Sequence, residues 1–141
     1  MKKLISVSVI VFLVVSFFTV SAANPQKKVP ATISKSPKVE VYYFHYTRRC
    51  STCQAVETES QKAVSALYPT QLKEGIIRFQ AINLDNKGTD VLAKKCKAEG
   101  QALLVISAGK RVDLTEQGFM YSVNKPEKLK AELKKVIDPL L

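Results

Sequence analysis

Two cysteines separated by two residues, Cys50 and Cys53, are the side chains of this sequence with the clearest capacity for chemistry. A pair at this spacing serves thiol–disulfide exchange, metal or haem binding, or a static bridge. Haem attachment requires a His directly after the second cysteine, and Gln54 stands there. A zinc site requires a second pair of ligands, for which the chain offers only His45 and Cys96. We therefore interpret the pair as a redox-active disulfide without metal or cofactor, and an inert structural disulfide or metal or other thiol binding stays open as an alternative.

The pair lies at a predicted junction between a strand and a helix. Residues 39–46 are β-branched and aromatic with little polar alternation, which is typical of a strand covered on both faces. Apolar and small side chains then recur three or four residues apart and predict one helical face that ends near Tyr68 and Pro69, namely Cys53, Val56, Ser60, Ala63, Val64 and Leu67. The positive end of the helix dipole and the unpaired N–H groups at a helix start stabilise a thiolate.

The two cysteines are expected to take different roles. Cys50, next to the loop, should face solvent, and the neighbouring Arg48 and Arg49 should help to lower its pKa. Cys53, one turn further on, should be buried and more nearly neutral. Cys50 would then attack a partner's disulfide and Cys53 would resolve the mixed disulfide, with the arginines favouring an oxidising pair. A two-residue spacer closes too small a ring to stabilise a fold much.

The rest of the domain predicts an α/β fold. Residues 76–83 follow Gly75 and read as a strand, and a short helix begins at Thr89 or Asp90 and is closed by Gly100. Residues 102–107 and 110–114 predict a hairpin, and a last helix begins at Pro126. The order β-α-β-α-β-β-α combines parallel strands joined through helices with an antiparallel hairpin, so we expect a mixed sheet with helices on both faces.

The N-terminal residues predict export. Lys2 and Lys3 precede an apolar run over residues 4–20 that closes with Ser21, Ala22 and Ala23, which is the plan of a cleaved signal peptide, with a membrane anchor as the alternative. Residues 24–37 contain three prolines and little apolar bulk and read as a flexible tether. The domains are therefore 1–23, a signal peptide, 24–37, the tether, and 38–141, the folded domain. The expected location is periplasmic or secreted, with no membrane span after cleavage.

The chain carries a formal net charge of +10 at pH 7, which favours attraction to anionic partners or surfaces. The lysines nevertheless interleave with apolar positions of two predicted helices, as solvated faces do. This set is Lys94, Lys95, Lys97, Lys128, Lys130, Lys134 and Lys135. We therefore expect no nucleic-acid partner.

The predicted strand, the Cys50-Ser51-Thr52-Cys53 motif, the helix face and the later hairpin together resemble the thioredoxin-like superfamily over residues 38–141. The resemblance implies a thioredoxin-like fold and places Ala102 where the family has a cis-proline that shapes the docking groove. Phe44 occupies the place of the family's buried Asp proton acceptor, and Arg49 the place of its Trp. His45 or Glu40 is a candidate replacement for that Asp, although a lone His in an apolar strand is also typical of a packed core residue.

Two segments, YYFHYTRRCSTC and GFMYSVNKPEKLKAELKK, are also similar to segments of small secreted thioredoxin-like proteins labelled as ArsF-type nitroreductase subunits. No flavin or nicotinamide fingerprint accompanies it.

Two further features have alternative interpretations. Cys96 lies on an apolar helix face. We expect it to be buried as a small hydrophobic residue, and the alternative is that it acts as a third redox thiol. Residues 118–121, with Phe119 and Tyr121, fall in a predicted loop that would be either a docking rim or a cap on the core.

The function that these observations predict is an exported thiol–disulfide oxidoreductase or redox partner protein, acting through Cys50 and Cys53 on protein thiols or disulfides of an envelope partner. The alternative is a thioredoxin-fold binding or accessory subunit with a static disulfide.

Overall fold

The computed structural model describes residues 36–141. The predicted signal peptide, 1–23, lies outside the described residues, and so does the predicted tether, 24–37, apart from Ser36 and Pro37. None of the helices within the described range is long and apolar enough to cross a membrane.

The described residues form four strands and five helices, followed by a single 3₁₀ turn at Asp138–Leu140. The strands are β1 (Val39–His45), β2 (Ile77–Asn83), β3 (Ala102–Ser107) and β4 (Lys110–Asp113). The helices are α1 (Ser51–Leu67), α2 (Pro69–Lys73), α3 (Thr89–Cys96), α4 (Thr115–Tyr121) and α5 (Pro126–Ile137).

The strands form one mixed sheet in the order β2-β1-β3-β4. β1 and β2 run parallel, with Val39 opposite Ile77 and His45 opposite Asn83. β3 is antiparallel to both β1 and β4. The connection from β1 to β2 passes through helices, as a parallel pair requires, whereas β3 and β4 are joined by a tight turn. The predicted mixed α/β sheet and the thioredoxin-like fold are confirmed. The expectation that strands joined through helices run parallel was wrong for β3, which follows β2 through α3 but runs antiparallel to β1 and therefore opposite to β2.

Each face of the sheet is covered by its own helices, because side chains alternate across a strand. Odd-numbered residues of β1, such as Val41 and Tyr43, pack with residues of α1 and α5, such as Val56 and Leu133. Even-numbered residues of β1 pack on the other face against α3, in a cluster of Tyr42, Phe44, Ala93, Cys96, Ala102 and Leu104. The prediction of helices on both faces is therefore correct, and β1 is the central strand that both cores share.

The prediction of a loop between the hairpin and the last helix was wrong, because residues 115–121 form α4. The Oδ1 atom of Asp113 accepts a hydrogen bond from the N–H of Thr115 at 3.0 Å and starts this helix. Gly118 then lets α4 approach closely, since a Cβ atom there would lie 3.0 Å from Cγ1 of Val56 and 3.3 Å from Cδ2 of Leu103. These contacts bring together residues far apart in the sequence, and local spacing does not reveal them.

Two helix boundaries also differ from expectation. Pro69 ends α1 but also begins the short helix α2, since proline is accepted at a first helical position. α3 ends at Cys96, not near Gly100, because Lys97 adopts a left-handed conformation with φ of 53° and closes the helix earlier.

Candidate functional site

The loop between β1 and α1 places Cys50 at the start of the long helix. Its backbone is extended, with φ of −73° and ψ of 169°, and its carbonyl oxygen accepts a hydrogen bond from the N–H of Gln54 at 3.1 Å. Cys50 is therefore the N-cap of α1. Its side chain stands where the unpaired N–H groups of the first turn converge.

The two sulfur atoms lie together at this helix tip. Sγ of Cys50 is 2.6 Å from Sγ of Cys53 and accepts a hydrogen bond from the N–H of Cys53 at 3.4 Å. Cys50 is exposed, whereas Cys53 is only 5% exposed. The predicted geometry, with one thiol open to solvent and its neighbour a turn deeper, is confirmed.

The environment shifts the pKa values of the two thiols in opposite directions. Hydrogen bonds from the side chain and then the backbone N–H of Cys53 lower the pKa of Cys50. Burial first, and then the hydrogen bond to Cys50, raises the pKa of Cys53. The arrangement can therefore present one thiolate to solvent while it keeps the second sulfur protonated in reserve.

The sequence suggested that both arginines before Cys50 contribute free positive charge, but in the structure, within residues 36–141, only one of them does. Nη1 of Arg49 contacts Oε2 of Glu57, and the two side chains form an ion pair. Arg48 is exposed. The main cause of the lowered pKa of Cys50 is hydrogen bonding within the pair, and not the arginine charges.

Glu57 is a site residue that sequence reasoning missed. It lies on α1 one turn after Cys53, and its Oε2 atom is 4.0 Å from Nε2 of His45. His45 is only 8% exposed, and its Nδ1–H donates to the carbonyl oxygen of Tyr46 at 3.0 Å. The spacing of four residues between Cys53 and Glu57 was the available signal in the sequence, since residues four apart share one helix face.

The second candidate proton acceptor, Glu40, is not at the site. Its side chain accepts a hydrogen bond from the hydroxyl of Tyr42 at 2.8 Å, and Tyr42 packs on the α3 face of the sheet. Glu40 also lies at the start of β1, whereas the cysteine loop follows the end of that strand. Of the two candidates, His45 is the one at the end of β1 from which the cysteine loop begins.

Tyr43 is a second residue that the sequence did not single out. Its hydroxyl donates to the carbonyl oxygen of Cys53 at 2.9 Å, and its ring stacks on that of His45 with centroids 5.9 Å apart. Burial raises the pKa of Tyr43 well above its ordinary value, so the hydroxyl stays a donor. This contact attaches the first turn of α1 to the central strand.

The start of β3 lies beside the end of β1, because Ala102 pairs with Phe44. No peptide bond within residues 36–141 is cis, so Ala102 follows an ordinary trans bond, as expected for a residue that is not proline. An open cavity of about 450 Å³ is lined by Thr47, Arg48, Arg49 and Cys50. A partner can therefore reach the Cys50 sulfur from solvent.

The structure supports the core-capping interpretation for part of residues 118–121 and the docking interpretation for another part. Phe119 and Tyr121 are half-buried against the main core, which agrees with the core-capping role. Met120 between them is 54% exposed. Within residues 118–121, Met120 is therefore the large apolar side chain that is exposed for contact with a partner.

Cys96 lies on the opposite face of the sheet from the pair. It is 4% exposed, it packs with Ala93 and Leu104, and burial raises its pKa. This agrees with its interpretation as a small buried hydrophobe. Within residues 36–141, no group of three or more His, Cys, Asp or Glu side chains is arranged to hold a metal ion.

No protein-family model and no curated protein matches this chain. Among solved structures, the chain is similar to one described as a malarial protein, with 22% identity, coverage of 70% of this chain and 96% of that chain, and a TM-score of 0.44. It is also similar to the oxidised mitochondrial thioredoxin 3 of Saccharomyces cerevisiae, with 18% identity, coverage of 73% and 83%, and a TM-score of 0.45. The thioredoxin of Trypanosoma brucei brucei shares 17% identity over 75% of this chain and 80% of its own, with a TM-score of 0.45.

Proposed function

We propose that this protein is an exported thiol–disulfide oxidoreductase or redox partner protein that cycles Cys50 and Cys53 between dithiol and disulfide. One observation supports this above the others. An exposed sulfur with a lowered pKa sits at a helix tip, 2.6 Å from a buried sulfur with a raised pKa. Those are the properties that an attacking and a resolving thiol need.

The reaction follows from the two thiols. The Cys50 thiolate attacks one sulfur of a partner's disulfide, the partner's S–S bond breaks, and the second partner sulfur leaves as a thiolate that takes up a proton. Cys53 then loses its proton and attacks the Cys50 sulfur of the mixed disulfide, which releases the first partner sulfur. Two electrons pass to the partner, whose two sulfurs take up one proton from Cys53 and one from solvent, and Cys50 and Cys53 become a disulfide. The reverse sequence oxidises a partner dithiol.

The proposed partners are protein thiols or disulfides in the bacterial envelope or outside the cell. The surface beside Cys50 is open to solvent, and exported compartments favour disulfide chemistry. The export proposal rests on residues 1–23 and has its own test. Mass spectrometry of the protein recovered from the envelope should show a chain that begins at Ala23 or Asn24, and a chain that retains Met1 and the apolar run would contradict export by cleavage.

The resemblance to ArsF-type proteins refines this proposal to a redox partner of a second envelope protein. It rests on the residues around Cys50 and on the segment from Gly118 to Lys135. The chain supplies thiols for such a role and no flavin or nicotinamide fingerprint. A mixed disulfide with one dominant envelope protein would support a dedicated partner, whereas many adducts of similar abundance would support a general oxidoreductase.

A static bridge on a binding scaffold is the alternative, and Ala102 at the start of β3 is the observation that favours it. The proposal is tested by equilibrating the purified protein with reduced and oxidised glutathione while insulin reduction is assayed in parallel. We expect a reduction potential above about −300 mV, since bridges below that value resist cellular thiols. Turnover should disappear in Cys50→Ser and persist in Cys96→Ser. A lower potential without turnover would favour the static bridge.

A further inference from the structure

The two arginines that precede Cys50 differ in what they contact. Arg49 is ion-paired with Glu57, and the two side chains are 21% and 23% exposed. Arg48 is exposed, and its side chain has no ion-pair partner within the part of the chain that the structure describes. The sequence places two positive charges beside the thiol, but the structure leaves one of them unpaired.

Glu57 reaches this position because of its place on α1. Helical side chains lean toward the helix N-terminus, so its carboxylate is directed back over the turn that carries Cys53. The first turn of α1 contains no acidic residue. Glu57 is thus the first negative charge along the helix, and its Oε2 atom meets both Arg49 and, at 4.0 Å, Nε2 of His45.

We propose that Glu57 tunes the redox equilibrium of Cys50 and Cys53 by holding the Arg49 guanidinium in an ion pair that offsets its positive charge beside Cys50. This inference rests on the proposed exchange function. A cation beside a thiolate stabilises the dithiol form and makes the disulfide a stronger oxidant. By engaging Arg49, Glu57 removes part of that effect. The pair is then less oxidising than two free arginines would make it, and Glu57 is a positioning residue that acts through Arg49.

The ionisable groups around the helix tip come from β1, the loop before α1, α1 itself and the loop after β2. They are Tyr43, His45, Arg48, Arg49, Cys53, Glu57 and Asp85. The Oδ2 atom of Asp85 accepts a hydrogen bond from the N–H of Thr47 at 2.7 Å. Glu57 is the acid of this set that contacts an arginine next to Cys50, so it is the acid whose removal frees that arginine.

The variant Glu57→Gln keeps the shape of the side chain and removes its charge. Two properties would be measured, the ultraviolet absorbance of the Cys50 thiolate against pH and the equilibrium with reduced and oxidised glutathione. We expect the Cys50 titration to move to lower pH. The equilibrium should shift toward the dithiol by roughly two- to fivefold, which is the range of partly exposed ion pairs. The matched control is Glu59→Gln, which removes an acid of the same helix that is paired with Lys62 at 2.9 Å and should leave both properties unchanged.

A second variant, Arg49→Gln, separates the proposed route from a direct effect of the Glu57 charge. In the Arg49→Gln background, Glu57→Gln should have much less effect on either property, because no guanidinium remains to be freed. An effect of equal size in both backgrounds would overturn the inference, and so would a Glu57→Gln variant that behaves like Glu59→Gln. If the unmodified protein never equilibrates with glutathione, the exchange function fails, while the thiolate titration still tests whether Glu57 acts through Arg49.

Discussion

The hydroxyl of Tyr43, in the middle of the central strand, donates a 2.9 Å hydrogen bond to the carbonyl oxygen of Cys53 in the first turn of α1. Tyr43 is fully buried, and its strand is shared by both cores. The position of the two sulfur atoms is therefore tied to the most deeply packed part of the domain. This connection between core and helix tip gives the site a rigid base.

Replacement of Tyr43 by Phe tests this connection. The ring stays, but the hydroxyl that bonds the Cys53 carbonyl is lost, and we expect the free energy of unfolding to fall by about 1 kcal/mol. Urea denaturation of the reduced protein would measure it. Tyr46→Phe is the matched control, because Tyr46 is 41% exposed and its loss of a hydroxyl should change stability little. Equal effects of the two substitutions would show that the Tyr43 hydrogen bond contributes nothing.

The C-terminal 3₁₀ turn predicts a dependence of stability on acid. Lys134 and then the hydroxyl of Tyr68, at 2.6 Å, lower the pKa of Asp138. A folded-state pKa below the unfolded value of about 3.9 adds stability that is present above that pH and is lost as the pH falls through the folded pKa. Asp138→Asn should therefore make the acid limb of the stability curve shallower below about pH 4.

Thermal unfolding of Asp138→Asn and the unmodified protein between about pH 2 and 7 would check this. Tyr68→Phe should flatten the same limb by a smaller amount, because Lys134 remains beside the carboxylate. If the stability of all three proteins fell with pH in the same way, ionisation of Asp138 would not be the cause of the acid dependence.

The different exposure of the two cysteines predicts an asymmetric result when either is removed. Cys53→Ser leaves the exposed Cys50 able to attack a partner but removes the sulfur that resolves the adduct. We expect disulfide-linked adducts that are cleaved by a reductant and can be detected by non-reducing gels and mass spectrometry. Cys50→Ser should accumulate far fewer adducts, since Cys53 is buried. Comparable yields from both variants would mean that either sulfur is accessible.

The region from the central strand to the first helix could be predicted from the sequence because local patterns determine it. The apolar run of β1 and the three-to-four spacing after Cys53 depend only on neighbouring residues, and both elements lie within a residue or two of their expected bounds. The exposed and buried positions of Cys50 and Cys53 follow directly from that junction. The mixed character of the sheet was expected from the rule that parallel neighbours need a helical crossover, but that rule did not reveal that β3 pairs antiparallel with β1.

The parts that were missed depend on contacts between distant elements. α4 contains Gly118, which reads as a loop residue until its close approach to Val56 and Leu103 is known. Glu57 reads as an ordinary surface acid until folding brings Arg49 and His45 to it. The lowered pKa of Cys50 was correctly expected, and so was the part that N–H groups at the helix start play in it, but the contribution expected from the arginines is not among its causes.

The most direct test of the account is the rate at which each thiol of the reduced, folded protein is alkylated as a function of pH, followed by peptide mass spectrometry. Cys50 should react first, with a midpoint below the ordinary cysteine pKa of about 8.5, because its hydrogen bonds to Cys53 favour the thiolate. Cys53 and Cys96 should react at appreciable rates only after unfolding, because both are buried. If Cys53 reacts as fast as Cys50, or if Cys50 titrates at or above the ordinary value, the proposed division between attacking and resolving thiol is wrong.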